Sequence, residues 1–65
     1  MKILKSKVTK NGLNVHIVEA SEGKKEYFAL SKRYWISYRE NGSPTNCRYR
    51  SNSLKYIQGK FEEIK

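Results

Sequence analysis

The stretch 34-YWISYRENGSPTNCRYR-50 alternates aromatic and basic side chains on both sides of a turn. With Arg33 just ahead of it, the span gathers Trp35, three tyrosines and four arginines. Successive residues of a strand point to opposite faces of a sheet. Over Tyr34–Glu40 this places Tyr34, Ile36 and Tyr38 on one side, with Trp35, Ser37 and Arg39 on the other. Over Thr45–Arg50 it places Thr45, Cys47 and Tyr49 together, opposite Asn46, Arg48 and Arg50. Asn41-Gly42-Ser43-Pro44 supplies the turn chemistry that joins the two strands. The side with Ile36, Cys47 and the tyrosines reads as core. The other reads as an arginine-rich surface around an uncovered indole.

Working outward, Asn11-Gly12 is the strongest short hairpin signal and predicts a type I′ turn with positive φ at both residues. It separates a strand over Lys2–Lys10, marked by Leu4 and Val8, from one over Leu13–Ala20. In the latter, Leu13, Val15 and Ile17 alternate with Asn14, His16 and Val18. Ser21-Glu22-Gly23 then precedes a third strand over Lys25–Ser31, which carries Tyr27, Phe28, Ala29 and Leu30. Beyond Arg50 the period changes. Leu54, Ile57, Phe61 and Ile64 fall on one stripe of a helix over 54–64, with Ser53 as its N-cap. Gly59 costs that helix roughly 1 kcal/mol relative to alanine, so the helix depends on docking its stripe onto the sheet. The expected fold is α+β. A single domain over 1–65 holds a small antiparallel meander of three to five strands (2–10, 13–20, 25–31, 34–40, 45–50) packed against one C-terminal helix.

Size and charge narrow the function. A chain of 65 residues lies near the lower limit for a single apolar core, and a ligand cavity of roughly 300 Å³ would consume most of it. Cys47 is the lone cysteine and His16 the lone histidine, so neither an internal disulfide nor a zinc site is expected. One His and one Cys also supply no supported nucleophile–base pair. No enzyme activity, cofactor or metal is therefore expected. The apolar runs are too short for a signal peptide or a membrane span, and the cytoplasm is the expected location. Fourteen Lys and Arg against six Asp and Glu leave a net charge of +8. That balance fits an anionic partner, nucleic acid first.

Arginine is more telling than lysine here, because its planar fork grips a phosphate or a guanine edge through two bonds. The candidate nucleic-acid-binding residues are Trp35, Arg39, Arg48, Arg50 and Asn46, with Tyr27, Asn14 and Arg33 from neighbouring positions. Plainer readings compete. A one-residue register slip would turn Trp35 into the core, and Arg39, Arg48 and Arg50 would be rim charges if opposite Glu19, Glu26 or Glu40. His16 then reads as a surface strand residue and Cys47 as a small buried hydrophobe.

The run Trp35-x-x-Tyr38-Arg39-x-x-Gly42, then Tyr49-x-Ser51 and an amphipathic helix, resembles the arm-type DNA-binding domain at the N-terminus of tyrosine-family phage and transposon integrases. The resemblance implies a three-stranded antiparallel sheet on a C-terminal helix, as in the AP2 module, with the sheet laid in the DNA major groove. Trp35, Arg39, Gly42, Arg48, Arg50 and Ser51 occupy its matching positions. It covers about residues 33–64. The sequence departs from it in the helix LKYIQGKFEEIK, which is not alanine-rich, and in the extra segment Lys2–Ser31 ahead of the match. No recombinase catalytic region is present. The expected function is that of a small non-enzymatic DNA-binding protein, with duplex DNA ahead of RNA, serving as a regulator or accessory factor of a phage or mobile element. The alternative is a phage-type inhibitor or adaptor that docks on a host protein, such as a nuclease or defence complex, through the same aromatic and basic face. A monomer or a weak homodimer paired through an edge strand is expected.

Overall fold

The computed structural model describes residues 2–20, 32–43 and 47–65. The expected strand over 25–31, Tyr27, Thr45 and Asn46 lie outside them. The elements run β1 (Lys2–Val8), β2 (Asn14–Glu19), β3 (Tyr34–Ser37), β4 (Tyr49–Ser51) and α1 (Leu54–Glu63). The four strands form one antiparallel sheet in the order β1-β2-β3-β4, and α1 lies against β2, β3 and β4. The chain is an α+β meander on a C-terminal helix.

Between β1 and β2 the turn is one residue longer than expected. Gly12 N–H donates to Thr9 O (2.9 Å), and Thr9 N–H donates to Leu13 O (2.9 Å). The loop is therefore Lys10-Asn11-Gly12, a three-residue hairpin with Gly12 at φ 82. Thr9 decides this, because its hydroxyl also accepts from Leu13 N–H at 3.1 Å and draws the closing pair back to 9/13. In β1 the register then shifts between Ile3 and Lys5. One extra residue in a strand exchanges its faces. Ile3 accordingly pairs with Val18, whereas Lys5 and Lys7 pair with Ile17 and Val15 on the helix side. Leu4 and Val8, the expected apolar marks of this strand, are exposed. Their place beside the helix is taken by lysines, whose ammonium groups lie 5.6 and 4.5 Å from the Phe61 ring centre. Lysine suits that position because α1 stops short of β1: a long side chain spans the gap and sets its ammonium group over the ring. Lys7 Nζ donates to Phe61 O and Lys5 Nζ to Glu62 Oε1 (3.3 Å).

The core on the helix side contains Val15, Ile17, Ile36, Ile57 and Phe61, with Tyr34, Tyr38, Tyr49, Leu54 and Ile64 packed around it. All four expected stripe residues of α1 thus face the sheet. Ser53 caps the helix as expected, its Oγ accepting from Tyr56 N–H at 3.2 Å. A second, smaller core lies on the opposite sheet face. There Val18 and Trp35 are fully buried, with Ala20 and Cys47 against them.

Candidate nucleic-acid interface

Parity places Trp35 opposite Ile36, away from α1, as the sequence predicts. Its exposure is the correction. The indole is 0% exposed, sealed by the segment that follows β3. That strand ends at Ser37 instead of Glu40, because Ser37 Oγ accepts from Arg39 N–H (3.1 Å) and donates to Ser43 O (2.7 Å). Gly42 N–H donates to Arg39 O (3.0 Å), and Ser43 N–H to Asn41 Oδ1 (3.0 Å). These bonds fold residues 39–43 back over the sheet, where Gly42 O accepts from Trp35 Nε1 at 2.9 Å. Trp35 is a core residue and is unavailable to a sugar or base.

Cys47 is the second correction. It packs on the Trp35 side instead of beside Ile36. The β3–β4 ladder ends at Ile36↔Tyr49, so strand alternation does not extend back to residue 47.

The candidate arginines divide into two kinds. Arg33 donates from Nε (3.0 Å) and Nη2 (2.9 Å) to the Glu19 carboxylate. The hydrogen bond to Glu19, followed by the charge of Tyr34, raises its pKa above the usual arginine value. Its backbone N–H also donates to Asn52 Oδ1 at 2.9 Å. Arg33, a candidate for nucleic-acid contact by sequence, therefore instead locks the start of β3. Arg39, Arg48 and Arg50 are exposed, and among the described residues none of them forms an ion pair. Arg50 is the strand partner of Trp35 on the face away from α1, and Arg39 follows β3 in the covering segment. Arg48 places its guanidinium 5.7 Å from the Tyr49 ring centre. Asn14 is exposed at the far end of the same sheet face, opposite Val8. Between them, His16 Nδ1 lies 2.6 Å from Ser6 Oγ, and its buried Nε2 has no hydrogen-bond partner among the described residues. The structure thus brings Arg48 and Arg50 to the β4 edge and leaves Asn14 on the other side of the covering segment.

Sequence reading passed over Tyr56 and Lys60. Lys60 Nζ lies 5.6 Å from the ring centres of both Tyr49 and Tyr56, so Arg48, Tyr49, Lys60 and Tyr56 alternate charge and ring from β4 to α1. The available signal was the i, i+4 spacing of Tyr56 and Lys60 on the polar side of the helix. Among the described residues, no group of His, Cys, Asp and Glu could hold a metal ion, and no helix is long and apolar enough to cross a membrane. No protein-family model, curated protein or solved structure matches this chain.

Proposed function

We propose that this protein is a small, non-enzymatic nucleic-acid-binding module whose contact surface is the β4 edge and its surroundings. The observation that carries the reading is the contrast among the arginines. Arg33 is held by Glu19, whereas Arg39, Arg48 and Arg50 stand exposed without a carboxylate partner among the described residues. Unpaired guanidinium groups on a chain of charge +8 repel one another and oppose compaction; a polyanion removes that repulsion. The resemblance to arm-type integrase domains, carried by about residues 33–64, belongs to this proposal; that span holds β3, β4 and α1. Laying the open sheet face into a duplex groove fits less well, because residues 39–43 cover Trp35.

The test is fluorescence anisotropy with a labelled oligonucleotide across a salt series. Affinity is expected to fall with salt, and replacing Arg39, Arg48 and Arg50 by Gln should make the log–log slope shallower by about 2 to 3. A slope near zero for the unaltered protein defeats the proposal.

A further inference from the structure

Resting on that nucleic-acid reading, we propose that Tyr49, Lys60 and Tyr56 form a stacking site for unpaired bases, which makes the preferred ligand single-stranded. Tyr56 is 47% exposed and is not among the side chains packed on the core. A half-exposed ring on the solvent side of a ten-residue helix adds little to the fold. What it does offer is a solvent-accessible ring with Lys60 Nζ 5.6 Å from its centre. Tyr49 is half-buried at the margin of the helix-side core, which fixes its ring in place. Lys60 Nζ is equidistant from both ring centres at 5.6 Å, so those centres are separated by at most twice that distance. At about 3.4 Å per stacking step, that bound leaves room for no more than about two bases between the rings.

Rings that receive bases and cations that receive the linking phosphates are the two components of a single-strand track. Here both are gathered: Arg48 lies beside Tyr49, and Lys60 lies beside both Tyr49 and Tyr56. A duplex does not use such a surface, because its bases present edges in the grooves and keep their faces stacked on one another. Among the described residues the opposite sheet face offers no competing stacking platform, since its indole is sealed. Among the described residues, the one carboxylate paired with Lys60 is the exposed Glu63, at 3.8 Å. An exposed pair of this kind contributes little, and a phosphate can displace it.

The experiment compares a labelled mixed-sequence single strand with its duplex at one ionic strength, using the unaltered protein and Tyr56→Ala, Tyr56→Phe and Glu63→Gln. The single strand is expected to bind more tightly than the duplex. Tyr56→Ala should weaken single-strand binding by about 5- to 150-fold, the range for one stacked base. It should leave the salt slope and duplex binding unchanged, and Tyr56→Phe should retain affinity. Glu63→Gln should tighten the single-strand complex by about two-fold through release of Lys60. Emission from buried Trp35 reports in every variant that the fold persists. Duplex binding as tight as single-strand binding overturns this inference while leaving the nucleic-acid reading standing. So does a Tyr56→Ala variant that binds the single strand at full strength. Binding to neither ligand at low salt removes both.

Discussion

Gly42 closes the smaller core and has little room to change. It sits at φ 78, and a Cβ there would lie 3.3 Å from Ile3 Cγ1 and from Val18 Cγ2. The left-handed conformation costs a non-glycine residue roughly 1–2 kcal/mol before any crowding. Gly42→Ala should therefore destabilise the protein by about 1–3 kcal/mol. Urea denaturation measures the loss, and Trp35 emission should shift to the red wherever the covering segment lifts. Trp35→Phe tests the same closure from the other side. It leaves Gly42 O without its 2.9 Å donor, at a cost of about 1–3 kcal/mol for a buried unsatisfied carbonyl. Far-UV circular dichroism must read this variant, since Trp35 is the lone tryptophan. At this scale the sequence shows that residue 35 is aromatic and opposite Ile36. That the indole is covered depends on Ser37, Asn41 and Ser43 bending the chain back, through local polar bonds that strand patterning does not display.

The elements differ in how far their own residues specify them. Helix α1 is the most legible, because a cap at Ser53 and a stripe of four apolar residues determine both its start and its buried side. Its weak point is Gly59, which is exposed and whose added Cβ would meet nothing within 4 Å. Gly59→Ala should raise stability by about 0.8–1.0 kcal/mol, or about 4–8 °C in thermal melting. Ser53→Ala should lower stability by about 1 kcal/mol through loss of the Tyr56 N–H acceptor. Strand β1 is the least legible. Its alternation points to Leu4 and Val8, but the irregularity between Ile3 and Lys5 reverses the faces and puts lysines over Phe61. A bulge depends on the partner strand, and nothing within Lys2–Val8 announces it.

For the whole molecule, the excess positive charge affects stability and binding in opposite directions. The exposed pairs Lys5–Glu62 and Lys60–Glu63 offset little of it. Raising ionic strength from about 0.02 to 0.2 M should screen the self-repulsion and raise the melting temperature, while weakening oligonucleotide binding. Thermal melts and titrations in the same buffers check both signs; a melting temperature that falls with salt would mean that attractive pairs dominate the charge balance. By itself, the sequence determined the α+β class, the capped helix and its stripe, the opposition of Ile36 and Trp35, and the basic excess. These depend on local capping and on periodicity, which a single chain segment carries. The tertiary structure alone decided that Trp35 is enclosed, that Cys47 joins it, that Arg33 is tied to Glu19, and that Tyr49 and Tyr56 share Lys60. Each of these needs two segments brought together by pairing register or helix docking, and a shift of one residue in either would change the outcome.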